Sequence, residues 1–200
     1  MKLLKQIIKV GRKMHRYRFT DTEIKKLLKE NLVIIYDTRE QKNDHILRAF
    51  DEKGIKYKKQ KVDEGDYTGI ITARPEMGIH RDVYFNVAIE RKDSVDELIG
   101  SIKDADRFED EFNRALAKGI KVYLVVEEKD GLQNMRAGKY RSEYKPKALW
   151  GKFNSLEDKY LKGSTFIDKE DSAAVIYSKI YYSIRNILKN GQVDLDENID

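Results

Sequence analysis

Cysteine is absent from this 200-residue sequence, and histidine occurs only three times, at His15, His45 and His80. Without cysteine the chain has neither a disulfide framework nor a thiolate zinc site. The three histidines do not have the spacing of metal ligands. The sequence also contains no internal repeat, no low-complexity tract and no glycine-rich phosphate loop. A hard cation held by oxygen ligands is the kind of metal site that these absences leave open.

Long hydrophobic runs are also absent, since no apolar stretch approaches the roughly 20 residues that span a bilayer. The amino terminus lacks the uninterrupted apolar core and the cleavage site of a signal peptide. We therefore expect a cytoplasmic protein without a membrane partner. With 40% hydrophobic residues in 200, the chain can form one compact domain with a sizeable core.

Positive charge is concentrated at the amino-terminal end. Residues 1–30 contain ten Lys or Arg against three acids, whereas the whole chain has a net charge of only +5. This segment is either a solvated charged surface or a source of phosphate contacts, whose strength would fall steeply with salt. We place a basic helical arm at residues 1–30, one domain at residues 31–190 and an acidic tail at residues 191–200.

Apolar residues at positions 3, 4, 7 and 8 have helical spacing and predict a short basic amphipathic helix at the start of the arm. Its apolar face could pack on its own domain, contact nucleic acid or lie on an anionic membrane, and the sequence leaves these alternatives open. A second helix is predicted to begin at Thr20 or Asp21 and to end near Glu30.

The rest of the chain alternates between predicted strands and helices, which indicates an α/β fold. Continuous apolar and β-branched runs predict two strands buried on both faces, at residues 32–36 and 122–126. Further strands are predicted at residues 55–62, 67–72, 84–90 and 165–167. Helices are predicted at residues 46–54, 98–119 with an interruption near Gly100, 149–160 and 173–188. Residues 129–147 are predicted to form a mobile basic loop.

Acidic residues and one lysine stand at two neighbouring strand ends. Asp66 follows a glycine turn at the start of one predicted strand, and Glu90 and Lys92 end the next one. Because side chains alternate along a strand, Glu90 and Lys92 share a face, whereas Arg91 points away and offers only its backbone carbonyl to a metal. The carboxylates can hold Mg²⁺, and Lys92 can orient or help deprotonate a water. Although a Glu-x-Lys triplet alone is more typical of an exposed ion pair, the set indicates metal-dependent phosphodiester cleavage.

The longer string around this triplet is more specific. Gly65-Asp66, a spacer, Glu90-Arg91-Lys92 and then Asp96 resemble the signature of the XPF-type structure-specific endonuclease family. The resemblance extends upstream to Asp-Thr-Arg-Glu at residues 37–40 and downstream to Leu-Ile-Gly-Ser at residues 98–101 and Arg-Phe at residues 107–108. It covers about residues 32–188.

The resemblance implies a restriction-endonuclease-like core, in which a central mixed β-sheet is flanked by helices. Asp66 and Glu90 would be the metal-binding acids, with Asp37 completing or extending the site for Mg²⁺ or Mn²⁺, and Lys92 would activate the water. Other motif positions would supply phosphate contacts from arginines and supporting hydrogen bonds from acids, and these are Arg39, Glu40, Arg91, Asp96 and Arg107. For Asp96 an alternative is simple stabilisation of a helix start by the helix dipole.

Nothing after the core resembles the tandem helix-hairpin-helix module that many family members use to grip DNA, and no helicase domain is visible. The chain looks more like stand-alone forms from bacteria or their phages, where it would act at the nucleoid. The basic arm and a basic loop are the obvious substitutes for DNA binding. The loop cations are Arg136, Lys139, Arg141, Lys145 and Lys147. Tyr140 and Tyr144 among them either stack on unpaired bases or pack in the core.

These observations predict a Mg²⁺- or Mn²⁺-dependent endonuclease that cuts branched or single-strand/duplex junction DNA and leaves 5′-phosphate and 3′-hydroxyl ends. By resemblance to the family we expect a homodimer. The sequence also leaves three alternatives open: a Holliday-junction resolvase, a non-catalytic DNA-binding scaffold on a nuclease fold, and a protein that binds a membrane surface through its basic amino terminus. Aromatic and apolar residues at positions 177, 181, 184 and 188 of the last helix indicate core or subunit interface rather than chemistry.

Overall fold

The computed structural model describes residues 19–191. The predicted amphipathic helix at residues 3–8 and the acidic residues beyond 191 lie outside this range. The described part is an α/β fold in which one seven-stranded mixed sheet separates two helical layers. The strands are β1 (Leu32–Tyr36), β2 (Tyr57–Lys59), β3 (Tyr67–Ile71), β4 (Val83–Tyr84), β5 (Val87–Lys92), β6 (Lys121–Val126) and β7 (Leu161–Phe166). The predicted fold class is confirmed.

Helices cover both faces of the sheet. Their bounds are α1 (Asp21–Glu30), α2 (Asp44–Glu52), α3 (Val95–Lys103), α4 (Ala105–Ala117), α5 (Gly131–Ala137), α6 (Pro146–Tyr160) and α7 (Ser172–Lys189). The layer of α1, α2 and α7 packs on one face, which we call the α7 face, and α3 to α6 pack on the other, which we call the α4 face. Among the described residues no helix is long and apolar enough to cross a bilayer.

The order of the sheet is β2-β1-β3-β5-β6-β7, and β4 pairs with β3. The outer pairs β1/β2, β5/β6 and β6/β7 are parallel, whereas β1/β3 and β3/β5 are antiparallel. The first residue of β3, Tyr67, is opposite both Tyr36 near the end of β1 and Ile89 in β5. The antiparallel pairing predicted for β3 and β5 therefore brings the start of β3 beside the end of β5.

The first helix begins as predicted. Thr20 is its N-cap: its side chain accepts from the backbone N–H of Glu23, and the Glu23 carboxylate accepts from the Thr20 backbone N–H, so a capping box closes the helix start. The buried face of α1, formed by Ile24, Leu27 and Leu28, belongs to the same core as β1 and α7. These ten residues of the predicted arm therefore share the hydrophobic core of the sheet.

Several boundaries differ from prediction for identifiable reasons. The strand predicted at residues 55–62 is only β2, because it pairs with β1 over three residues before Val62 turns to donate to the Asp37 carboxylate. The strand predicted at residues 165–167 is β7, a polar edge strand that starts directly after α6. The long predicted helix breaks at Asp104 rather than near Gly100, so α3 and α4 are separate.

The basic segment at residues 129–147 is not a loop throughout, since it contains α5. Met135 of α5 is fully buried, and Gly131 packs so closely that an added Cβ would lie 2.5 Å from the Phe166 ring. Tyr140 and Tyr144 pack against the same core, and the Tyr140 hydroxyl donates to the Tyr144 carbonyl at 2.6 Å. The core alternative for these two tyrosines is therefore the one observed.

Candidate active site

The start of β3 and the end of β5 place Asp66 beside Glu90. The Asp66 N–H donates to the Ile89 carbonyl at 2.8 Å, and the Arg91 N–H donates to Asp66 Oδ2 at 2.8 Å. Backbone groups on both sides thus fix the Asp66 carboxylate against the end of β5. The two acids predicted to hold a metal are brought together on the α4 face of the sheet.

The turn before Asp66 needs glycine. Gly65 has φ +77°, a left-handed conformation that other residues rarely adopt, and an added Cβ would lie 3.0 Å from the Ile89 carbonyl oxygen and 3.1 Å from Ala88 Cβ. Because this backbone lies close to β5, the Asp66 carboxylate is within hydrogen-bond distance of the Arg91 N–H. The Gly-Asp pair of the motif is therefore a geometric unit.

Lys92 completes the cluster. Its Nζ donates to Glu90 Oε1 at 2.7 Å and lies 5.1 Å from the centroid of the Phe108 ring on α4. Glu90 is 5% exposed and Lys92 is 9% exposed, so the ion pair is largely shielded from water. The shared face predicted for these two residues from strand alternation is observed.

Negative charge exceeds positive charge at this buried point. Burial raises the pKa of Asp66 well above its ordinary value, and the charge of Glu90 raises it further. Burial also raises the pKa of Glu90, against the opposing effect of Lys92. Burial lowers the pKa of the Lys92 ammonium, but the charge of Glu90 and the hydrogen bond to it outweigh that effect and raise the pKa. A cation between the two acids would relieve the excess.

Glu111 of α4 was not predicted as a site residue, yet it borders the cluster. Its Oε1 accepts from the Gly65 N–H at 3.3 Å, and its charge contributes to the raised pKa of Glu90. In the sequence it belongs to an acidic run on an amphipathic helix, which is indistinguishable from an ordinary solvated face. Its proximity to Gly65 and Glu90 depends on how α4 packs on the sheet.

Arg91 points to the α7 face, as predicted, and lies in a buried ion network. Its Nε and Nη2 donate to the two oxygens of Glu127 at 2.8 and 2.6 Å, and its Nη1 donates to Glu40 Oε1 at 2.9 Å. His45 Nε2 lies 2.7 Å from Glu127 Oε1. Glu127, which follows β6, was missed from sequence. The network anchors the residue whose backbone N–H holds Asp66.

Asp37 follows β1 and is fully buried. Its Oδ1 accepts from the Arg39 backbone N–H at 2.8 Å and from Arg39 Nε at 2.7 Å, while Oδ2 accepts from the Val62 N–H at 2.7 Å. Burial raises the pKa of Asp37, but these hydrogen bonds together lower it below its ordinary value. The carboxylate thus organises the loop beside the cluster, and its metal role stays a prediction.

The remaining motif positions lie around this centre. Asp96 is in the first turn of α3, where its two oxygens accept from the backbone N–H and the Nε of Arg141 at 2.8 and 2.7 Å. This contact ties α3 to the segment that precedes α6. Arg107 is exposed and pairs with Asp104. The catalytic role of Asp96 and the phosphate contacts of both arginines stay predictions.

The predicted DNA-binding cations of the basic segment are exposed to solvent. The Arg136 guanidinium lies 5.5 Å from the Trp150 ring centroid, which fixes it on the surface of α6. The side chains with this exposure are Arg136, Lys139, Arg141, Lys145 and Lys147. Their placement is compatible with phosphate contacts.

The donors at the centre fit a hard cation. Within residues 19–191 no three acidic or imidazole side chains are arranged as a complete metal cage. Mg²⁺ does not need one, because it is commonly held by one or two carboxylates and keeps several waters that substrate phosphates can replace. Asp66 and Glu90 supply two carboxylates at one point, and the buried excess of negative charge favours a divalent ion there.

Known proteins share this fold. The sequence model of the ERCC4 domain matches residues 36–185. Two solved structures, XPF from Aeropyrum pernix alone and in a complex with DNA, have a similar fold, each with 20% sequence identity and a TM-score of 0.53. The match to the first structure covers 76% of this chain and 61% of that structure. The match to the second covers 77% of this chain and 66% of that structure.

The chain therefore spans less than two thirds of the length of these solved relatives. No curated protein shows a significant match. The likeness in fold confirms the predicted restriction-endonuclease-like core, and the family match covers most of the chain. This protein belongs to the ERCC4 domain family, and its sheet and helices form an XPF-type nuclease domain.

Proposed function

We propose that this protein is a metal-dependent DNA endonuclease that cuts branched or single-strand/duplex junction DNA, leaving 5′-phosphate and 3′-hydroxyl ends. One observation carries the proposal: Asp66, Glu90 and Lys92 meet at a single, largely buried point at the end of β5. Two acids and a cation in one place are suited to metal-dependent hydrolysis of a phosphodiester.

Each residue has a separate task in this mechanism. Asp66 and Glu90 would hold Mg²⁺ or Mn²⁺, which when bound polarises the scissile phosphate and lowers the pKa of a water. Because its pKa is raised, Lys92 is a cation at neutral pH. It therefore acts better as a donor that orients the nucleophilic water and offsets charge on the phosphorane than as a base. Phe108 and the wall of α4 keep bulk water away from the Lys92 ammonium.

DNA would reach this centre along the α4 face. The exposed cations of the basic segment and Arg39 would contact phosphates, which positions the strand without reading its sequence.

We also propose a homodimer, on the resemblance to the family alone. Tyr177 and Tyr181 are half-buried against the core of α7, and Ile184 and Leu188 are fully packed in it. These four residues therefore pack in or against the core, and Tyr182 is the exposed large apolar residue of this helix.

The proposal is tested by cleavage of a labelled panel of duplex, single-strand, flap, fork and four-way DNA with Mg²⁺ and then Mn²⁺. We expect cleavage of flap or fork DNA near the branch and little cleavage of plain duplex. Tight binding without cleavage under both metals would contradict the proposal and favour a scaffold. Symmetric paired nicks confined to four-way DNA would instead identify a Holliday-junction resolvase.

A further inference from the structure

A groove lies beside the active site on the same face of the sheet. It has a volume of about 420 Å³, and its floor is formed by Ile35, Val62 and Ala88. The small cluster of Ile35, Val62 and Ile70 packs apart from the two main cores, because α3 to α6 cover only the β5 to β7 side of this face in the described chain. Within residues 19–191 the sheet is therefore open to a ligand at this place.

The groove adjoins the two metal-binding acids. Ala88 in its floor precedes Glu90 by two residues on the same face of β5, a distance of about 7 Å along a strand. Glu64 in its wall precedes Asp66 by two residues. A DNA strand with one phosphate at the acids would thus carry a neighbouring nucleotide past the mouth of the groove.

One wall holds a buried carboxylate with an unused oxygen. The Glu64 side chain is 2% exposed, and its Oε1 accepts from Lys118 Nζ at 2.9 Å and lies 3.4 Å from Arg114 Nε. Its Oε2 is buried and has no hydrogen-bond partner in the part of the chain that the structure describes. This oxygen has almost no accessible surface, so a ligand reaches it only by shifting the Glu64 side chain toward the groove. Because a buried acceptor without a donor is costly, a ligand that brings an N–H group to it would be favoured.

The lining of the groove also includes an exposed aromatic ring. Tyr84 of β4 is 57% exposed, an unusual fraction for a large apolar side chain, and it faces the same side of the sheet as its partner Ile70. Its hydroxyl accepts from Gln60 Nε2 at 2.8 Å, which fixes the ring at the mouth of the groove. A fixed and exposed ring beside a nuclease centre is suited to stacking on an unpaired base.

We propose that this groove receives one unpaired nucleobase, and that it favours a base with an exocyclic amino group over thymine. The base would stack on Tyr84, and its amino group would donate to Glu64 Oε2. Cytosine N4 and adenine N6 carry such donors, whereas thymine presents the O4 acceptor, which a carboxylate repels. The volume suits a small ligand. This inference rests on the proposed function, because it assumes that DNA occupies the α4 face.

The test uses the full chain and a fork whose single-stranded arm is all thymine except for one cytosine, moved one position at a time. Binding is measured by fluorescence anisotropy in EDTA, so that cleavage does not interfere. At one arm position the cytosine should tighten binding about tenfold, the effect of one hydrogen bond to a charged group. At all other positions it should have no effect.

The variant Glu64→Gln keeps the shape of the wall. Because Lys118 and Arg114 hold the amide carbonyl at the position of Oε1, the amide NH2 group would replace the unused oxygen and would meet the amino group donor to donor. This variant should abolish the cytosine advantage at that position, while Glu143→Gln, an exposed carboxylate before α6, should retain it. Tyr84→Ala should weaken binding of the fork about tenfold by loss of stacking. The matched variant Tyr182→Ala, also an exposed tyrosine, should bind like wild type.

The outcomes separate this proposal from the proposed function. If wild type binds the fork but no arm position distinguishes cytosine from thymine, the base pocket is refuted and the nuclease proposal stands. If Glu64→Gln does not fold, the positional effect in wild type and the weaker binding of Tyr84→Ala still decide the question. If wild type binds none of the forks in EDTA or in Ca²⁺, both proposals fail.

Discussion

The buried ion network behind the active strand makes a sharp prediction about stability. Replacing Glu127 with alanine removes both carboxylate oxygens that accept from Arg91. The Arg91 side chain is only 4% exposed, so its guanidinium would keep a single carboxylate partner, Glu40, in a mostly dry environment. Breaking a buried pair by removing one partner typically destabilises a protein by about 3–5 kcal/mol.

The magnitude should lie at the lower end of that range. Glu40 remains at 2.9 Å from Arg91 Nη1 and offsets part of the uncompensated charge, although His45 also loses its partner at 2.7 Å. We therefore expect Glu127→Ala to lower the free energy of unfolding by about 3 kcal/mol. With a slope of about 2 kcal/mol/M in urea, the unfolding midpoint should fall by about 1.5 M.

The assay is urea unfolding followed by circular dichroism, with Glu52→Ala as an exposed acidic control that should change the midpoint little. The double variant Arg91→Met/Glu127→Leu replaces the pair with apolar groups of similar size and should recover part of the loss, although it leaves the Glu40 carboxylate without Arg91. It also keeps the backbone N–H at position 91 that holds Asp66. A loss below 1 kcal/mol in Glu127→Ala, or a double variant no better than the single one, would refute this reasoning.

Two further predictions concern packing and pH. Gly69→Ala should lower the free energy of unfolding by about 1–3 kcal/mol, because its Cβ would lie 2.5 Å from Ile180 and 2.8 Å from Ile184. Gly100→Ala, with open space around it in α3, should raise the melting temperature slightly, and calorimetry that ranked the two variants the other way would contradict the packing. Because the pKa values of Asp66 and Glu90 are raised by folding, their contribution to stability without metal is full at low pH and is lost as pH rises through those raised values. In EDTA, Asp66→Asn should therefore lose less stability than wild type between pH 5 and pH 8, and Mg²⁺ should stabilise wild type more at pH 8 than at pH 5. Identical pH profiles of the two proteins would exclude this effect.

The centre of the site was predictable because its geometry is local. Gly65 and Asp66 start one strand, and Glu90 and Lys92 end its neighbour, so period-two alternation and antiparallel pairing were enough to assemble them. The strongly apolar strands β1 and β6 were predictable for the same reason, since burial on both faces leaves a continuous signal in the sequence.

The partners of these residues could not be read from sequence. Glu127 is 36 residues from Arg91, and an acid after a buried strand is usually solvated. Glu111 reaches Gly65 only because α4 packs over the end of β5. The edge strands β2 and β7 are short or polar, so pairing with a neighbour rather than residue pattern defines them. The helix α5 was hidden by a glycine at each end and by the cations that follow it, although Met135 anchors it in the core.

The most direct test of the central claim is single-turnover cleavage of the preferred junction by Asp66→Asn and Lys92→Ala. Exposed matched controls are Asp158→Asn on α6 and Lys162→Ala on β7. We predict that both site variants bind the junction in Ca²⁺ within a few-fold of wild type but cleave at least about 100-fold more slowly with Mg²⁺, while both controls cleave normally. Cleavage by either site variant at the wild-type rate would contradict the assignment of the active site to the junction of β3 and β5.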